Sequence, residues 1–423
     1  MEKLIRNELL DEQYYEINHP SGLKIFVMEK PDYSGAFAMF GTKYGSVDTC
    51  FRIKGEKEYT RVPEGIAHFL EHKLFESEEL DAFARYAKTG ASANAYTSFD
   101  KTCYLFSCTD NFEESLEILF DFVQNPYFTE QTVQKEQGII GQEIRMYEDE
   151  PGWESLFVLL RAMYHNHPVR IDIAGTVESI SHITADLLYE CYNTFYNPAN
   201  MALTVAGNVT VEQVLKVADK MLKATESKKI ERKFMEEPTN VVEKIAIKNL
   251  PVSMPIFAIG FKENIKTPCR TLKESIVSNM LLDIIAGKTS YLYEKLLDEG
   301  LINTAFDTEY FEGYGYSAHI FTGESYEYEK VREYINEELE RVIRDGVNEA
   351  DFERIKKKHY GNFIMNFNDI DSISNSLIGA YFNGDGLFEQ LEVLESITAD
   401  DVNNRLRNAI NIENSSMSVI KEK

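Results

Sequence analysis

"EGIAHFLEHKLFE" (residues 64–76) sets His68 and His72 four positions apart, with Glu71 directly before the second histidine. In a helix each residue advances about 100°, so the two imidazoles stand roughly 40° apart on one face and one turn apart. Glu71 falls roughly 60° from His68 on the same wheel. Ile66, Phe69, Leu70 and Leu74 gather on the opposite side, the apolar stripe that a packed helix needs. A helix is therefore expected here, with packing on one face and titratable groups on the other.

Two imidazoles so placed can converge on one tetrahedral zinc ion, and a glutamate beside them can take a proton from water activated by the metal. The order H-x-x-E-H is the inverted zincin arrangement. An exposed helix with a histidine and glutamate cluster, held by weak local pairing, carries the same five residues. By itself the motif leaves both readings open.

Outward from this helix the pattern is mixed. "LKIFVM" and "AFAMFG" precede it as short apolar strands, and "GASANAYTSFDKTCYLFSC" follows as two strands around a polar turn at Ser98 to Lys101. Helical segments are expected at Glu113 to Val123, Glu130 to Tyr147, Trp153 to Tyr164 and near Ala185 to Cys191, before the closing strand "MALTVAGNV". From Thr225 to Thr239, "TESKKIERKFMEEPT" loses apolar periodicity and becomes charged, as a linker does. The second half then repeats the order: strands in "KIAIKN" and "MPIFAIGF", a helix at Lys273 to Ile285, a strand pair within Thr304 to Thr322, long helices from Tyr326 to Phe367 and a last strand "SMSVIK". The expected class is α+β: two tandem, similar domains, each an antiparallel sheet with helices packed on one face. The expected boundaries are 1–224, a linker at 225–239, and 240–423. No H-x-x-E-H stands at the matching place of the second copy, so metal chemistry belongs to the first.

Composition narrows the class. A chain of 423 residues with 43% hydrophobic content suits two domains. A formal net charge of −26 opposes nucleic-acid binding, which needs clustered Lys and Arg. The start "MEKLIRNELLDEQYYEI" has no apolar run fit for a signal peptide and no stretch reaches membrane-spanning length, so a cytoplasmic location without membrane contact is the expectation. Cys50, Cys103, Cys108, Cys191 and Cys269 are scattered and never spaced C-x-x-C, which favours free structural thiols over disulfides or a cysteine zinc site. His165 and His167, before Pro168, fit a turn better than a ligand pair.

A catalytic zinc takes three protein ligands. The third is sought in "QKEQGIIGQEIRMYEDEP", which carries Glu136, Glu143, Glu148 and Glu150. Glu136 and Glu143 share a helical face but stand about 10 Å apart along the axis, so one of them at most touches the metal. The other is free to hydrogen-bond a ligand histidine. H-F-L-E-H followed 71 positions later by the last glutamate of E-Q-G-I-I-G-Q-E resembles the zinc-site pattern of the pitrilysin family, also called the insulinase or mitochondrial-processing-peptidase family. "GASANAYTSFDKTCY" and "YNPANMALTVAGNV" resemble further segments of it in the family's order, so the likeness covers most of residues 20 to 210.

That resemblance implies a half-length bacterial zinc metalloendopeptidase. Under it His68, His72 and Glu143 bind Zn2+, Glu71 is the general base, and Glu136 supports a ligand histidine. The exposed edge of Ala91 to Thr97 would receive a peptide as an added strand, with Asn94 and the amide of Ala95 near the scissile bond. The resemblance also implies an arginine and a tyrosine, from the second half of single-chain relatives, that hold the substrate carbonyl. In "SYLYEKLLDEGLINTAF" Leu297 and Asn303 stand in their places. A related partner subunit carrying the Arg/Tyr pair, in a heterodimer enclosing a chamber, is therefore expected, a homodimer being the other arrangement. The same loss motivates the alternative of a zinc-binding, non-proteolytic subunit that captures peptides or serves assembly.

Overall fold

The computed structural model describes residues 2–78, 80–264 and 270–423. The first half runs β1 (Glu2–Asn7), β2 (Glu12–Asn18), β3 (Lys24–Glu29), β4 (Ala36–Thr42), β5 (Cys50–Ile53), β6 (Thr60–Arg61), α1 (Ile66–Leu74), α2 (Ala82–Thr89), β7 (Ser92–Thr97), β8 (Thr102–Cys108), α3 (Phe112–Gln124), α4 (Glu130–Glu148), α5 (Pro151–Met163), α6 (Val177–Ile180), α7 (Ala185–Phe195), β9 (Met201–Gly207) and α8 (Val211–Met221). The second runs β10 (Ile230–Arg232), β11 (Ile245–Asn249), β12 (Ile256–Lys262), α9 (Leu272–Ala286), α10 (Tyr291–Asp298), β13 (Asp307–Gly313), β14 (Tyr316–Glu324), α11 (Tyr328–Asp345), α12 (Glu349–Met365), α13 (Ile370–Asn383), α14 (Glu389–Ser396), α15 (Ala399–Ala409) and β15 (Ser415–Lys421).

The two large sheets share one plan. In the first, five strands lie in the order β3-β9-β4-β8-β7, extended beyond β3 by the hairpin β2-β1; in the second the order is β11-β15-β12-β14-β13. Counted along the chain, both read first, fifth, second, fourth, third. Each is antiparallel except where the closing strand returns beside the opening one, in the parallel pairs β3 with β9 and β11 with β15. The chain is thus an α+β protein with two similar domains. A small third sheet joins β10, β5 and β6.

The compact units are not continuous in sequence. One contains residues 1–144, 172–234 and 364–388, and the other 145–171, 235–363 and 389–423. Most helices cover one face of their sheet, and one helix from the opposite half of the chain covers the other face. Thus α13 packs on β9 and β4 in the first unit, and α5 packs on β15 and β12 in the second. Separate apolar cores result, one built around Ile25, Phe40, Leu70 and Leu203, the other around Ile259, Leu281, Ile335 and Val419. Cys50, Cys103, Cys108 and Cys191 are buried free thiols; Cys269 lies outside the described residues. His167 is buried and accepts from the Val169 amide through Nδ1, a structural role at a short turn. No helix among the described residues is long and apolar enough to cross a membrane.

Candidate metal centre

Gly65 opens α1 with φ 87°, and a Cβ there would lie 2.3 Å from the carbonyl oxygen of Ala174. Only glycine meets both conditions, so the helix entry is fixed by close backbone packing. From this start Ile66, Phe69, Leu70 and Leu74 turn into the core, each no more than 2% exposed. The polar side of α1 is not wet. Glu71 is buried, His68 nearly so, and His72 retains only a quarter of its side-chain exposure. The cover comes partly from α4, whose buried Val133, Glu136, Ile140 and Ile144 recur at helical spacing.

The two α4 carboxylates meet the histidines differently. His72 Nδ1 lies 3.0 Å from Glu136 Oε1. A carboxylate beside Nδ1 accepts a hydrogen bond from it, which in the neutral ring leaves the lone pair on Nε2. Glu143 faces the Nε2 atom of each ring, with Oε1 3.7 Å from His68 Nε2 and Oε2 3.5 Å from His72 Nε2. These separations are long for hydrogen bonds. Zinc bonds near 2.0 to 2.1 Å would keep tetrahedral ligands about 3.3 Å apart. One ligand atom from each of His68, His72 and Glu143 lies within 4.8 Å of the others. The buried Nδ1 of His68 has no hydrogen-bond partner among the described residues. Two imidazoles and a carboxylate aimed into one small volume fit a divalent ion that accepts nitrogen and oxygen donors.

Burial sets the protonation behaviour. It pulls His68 down to about 3, and the neighbouring His72 pushes the same way. Burial also opposes charge on His72, but the hydrogen bond to Glu136 and the charges of Glu71, Glu143 and Glu136 outweigh it, so His72 is raised. Glu71 is raised by burial, against the Thr97 hydrogen bond and the charge of His72.

Asn94 and Ala95 lie on β7, the outer strand of its sheet. Asn94 is exposed, and its Oδ1 accepts the amide of Ala95 at 2.8 Å. The same strand ends at Thr97, whose hydroxyl donates to Glu71 Oε2 at 2.8 Å. The edge strand is thereby tied to α1. Sequence reasoning placed Thr97 in a strand and assigned it no part in the site, because a contact 26 residues away leaves no local signal. In the second half Leu297 is 40% exposed on α10, and Asn303 donates to Glu324 at 2.7 Å.

Residues 56–177 match the family model described as insulinase (peptidase family M16), and residues 182–358 match that of the peptidase M16 inactive domain. The uncharacterized zinc protease YmfH of Bacillus subtilis (strain 168) is 43% identical over 415 residues, 97% of each chain. The uncharacterized zinc protease YmxG of the same organism is 27% identical over 369 residues, covering 85% of this chain and 86% of that one. The crystal structure of an M16-like peptidase from Alicyclobacillus acidocaldarius matches with a TM-score of 0.92 and 35% identity, over 100% of this chain and 98% of that one. A protease from Helicobacter pylori matches in fold at a TM-score of 0.83 and 21% identity, over 97% and 99% of the two chains. The chain belongs to the insulinase family, peptidase family M16.

Proposed function

We propose that this chain is a zinc-dependent endopeptidase that hydrolyses peptides or unfolded segments. The observation that carries the reading is the convergence of His68, His72 and Glu143 beside a buried Glu71. His68 and His72 hold zinc through Nε2 and Glu143 through its carboxylate, while Glu136 fixes the ring of His72 and its proton at Nδ1. A bound zinc ion supplies Lewis acidity toward a peptide carbonyl and toward water. Glu71 accepts the proton of the attacking water on its carboxylate and returns it to the leaving amide nitrogen. A peptide adds as a strand along β7, exchanging the Asn94 cap on the Ala95 amide for a backbone bond of its own. Residues 1–224 carry this chemistry and residues 240–423 supply the metal-free domain, with α5 of the first stretch packed into the second unit and α13 of the second stretch packed into the first.

With Leu297 and Asn303 in the places of the carbonyl-binding pair, that pair comes from a related partner subunit that shares a closed chamber with this chain. The test is hydrolysis of an unstructured fluorogenic peptide by the chain alone and with its copurifying partner. Glu71→Gln is expected to retain zinc and lose about 10² to 10⁴ in rate. Turnover unchanged by Glu71→Gln removes the mechanism; zinc-dependent capture of peptide without cleavage under both conditions favours the non-proteolytic subunit instead.

A further inference from the structure

We infer that Thr97 is a positioning residue for the general base: it fixes the Glu71 carboxylate and couples it to the strand that receives the peptide. This rests on the peptidase reading above. The Thr97 hydroxyl is the hydrogen-bond partner of Glu71 among the described residues, on Oε2. The second oxygen is thereby left to exchange a proton, and the carboxylate plane is set by a neighbour instead of by its own three side-chain torsions.

The hydroxyl is itself well held. A β-branched side chain in a strand has few χ1 choices. Thr97 forms the last pair of the β7–β8 ladder, opposite Thr102. The turn beyond it is closed by Ser98 N to Lys101 O at 2.8 Å and by Ser98 Oγ to Asp100 Oδ1 at 2.8 Å. Its backbone is gripped from outside, since Ser98 O and Phe99 O accept the amides of Ser46 and Val47 at 3.0 and 3.1 Å. The Thr102 hydroxyl donates to Tyr44 O at 2.9 Å and its oxygen lies 3.4 Å from that of Thr97, so the partner across the ladder packs against the Thr97 hydroxyl. A peptide that stiffens Ser92 to Thr97 therefore stiffens the anchor of the base as well. An isolated strand threonine would have no such consequence.

The experiment compares Thr97→Val, which removes the hydroxyl at nearly constant shape, with Thr97→Ser, which keeps it. Thr97→Val is expected to lower kcat about 10- to 100-fold, the loss of one charge-assisted hydrogen bond, with KM within about threefold and zinc content unchanged. Thr97→Ser is expected to restore kcat to within about threefold of wild type. A crystal structure of zinc-loaded Thr97→Val is expected to show the Glu71 carboxylate rotated from its wild-type position, a readout independent of turnover. The inference is overturned by wild-type kcat in Thr97→Val, by equal impairment of both variants, by loss of zinc, or by an unmoved carboxylate. Glu71→Gln separates the failures: full activity in that control removes the peptidase mechanism itself, whereas an inactive control beside a normal Thr97→Val removes only the role of Thr97.

Discussion

The helices α1 and α9 follow the same strand of the same sheet plan, and among the described residues only α1 faces a metal-fit cluster. Setting Phe69–Leu74 beside Met280–Ile285 pairs Phe69 with Met280, Leu70 with Leu281 and Leu74 with Ile285, all at most 1% exposed. In that register His68, Glu71 and His72 stand opposite Asn279, Leu282 and Asp283. Asn279 turns back to its own helix, donating to Ser275 O at 2.9 Å, and Leu282 is core. Asp283 accepts from Lys358 Nζ at 2.6 Å and pairs with His359 Nε2 at 2.8 Å, both on α12. The signs are reversed between the halves. The first lays two carboxylates of α4 over two imidazoles and a third carboxylate of α1, an excess of negative charge that a cation relieves. The second lays bases over one acid, and the pairing is complete without an ion. The scaffold tolerates both, so the difference in chemistry lies in a handful of side chains and not in the fold.

The most severe way to break this contrast is to take away the shared carboxylate. Glu143→Ala is expected to reduce zinc affinity by more than the roughly 10- to 100-fold that follows removal of an outer partner, because a direct ligand is lost. Chelator competition followed by metal analysis measures it. On the other side, the second unit has its own buried charges, and they answer to one another. Glu263 is almost fully buried, with Arg405 Nη2 2.6 Å from Oε1 and Arg270 on Oε2. Arg405 also donates to Ser278 Oγ and Tyr310. Arg405→Met is expected to cost about 3 to 5 kcal/mol, since it strips one partner from a buried carboxylate. Urea denaturation reads the loss, and zinc binding should be unaffected. A variant that loses zinc and keeps its stability would reverse the division of labour drawn here.

Much of this contrast is legible in the amino-acid sequence. H-x-x-E-H, its missing counterpart and the order of strands in both halves follow from periodicity and spacing, which are local. Three things are not. The wheel set Glu71 and the histidines on the open side of α1, but a wheel knows nothing of α4, and the cover it lays makes that side a buried one. Likewise the amphipathic patterns of α5 and α13 require an apolar partner without saying which sheet supplies it, so the exchange of helices between the two halves of the chain is invisible to them. β1 and β2 gave no strand expectation either; "EQYYEIN" alternates weakly and buries only Tyr14 and Ile17.

Smaller changes sharpen the comparison at matched positions. Glu136→Gln keeps the shape and a hydrogen-bonding group beside His72 Nδ1 but removes the charge. It is expected to weaken zinc binding about 10- to 100-fold while the ligands themselves remain. The same chelator competition measures it, and an unchanged affinity would mean that the orientation of His72 is set elsewhere.

Asp283→Asn is the counterpart in the second half, and its effect should be the smallest. Lys358 is 48% exposed and Asp283 19%, so the pair is screened and worth no more than about 1 kcal/mol. Burial alone would raise the Asp283 carboxyl, yet the bonds from His359 and Lys358 outweigh it and hold it below its ordinary value. A folded-state pKa lowered in this way adds stability above the unfolded value near 3.9, and that stability is lost as pH falls through the folded one. The difference between Asp283→Asn and wild type should therefore be constant at neutral pH and shrink in acid, below about pH 4, as the wild-type carboxyl takes up its proton. Denaturant titrations at several pH values follow it, with zinc content unchanged throughout. A loss of zinc in Asp283→Asn would mean that the second half contributes to the metal after all, and the two helices could no longer be treated as one scaffold put to separate uses.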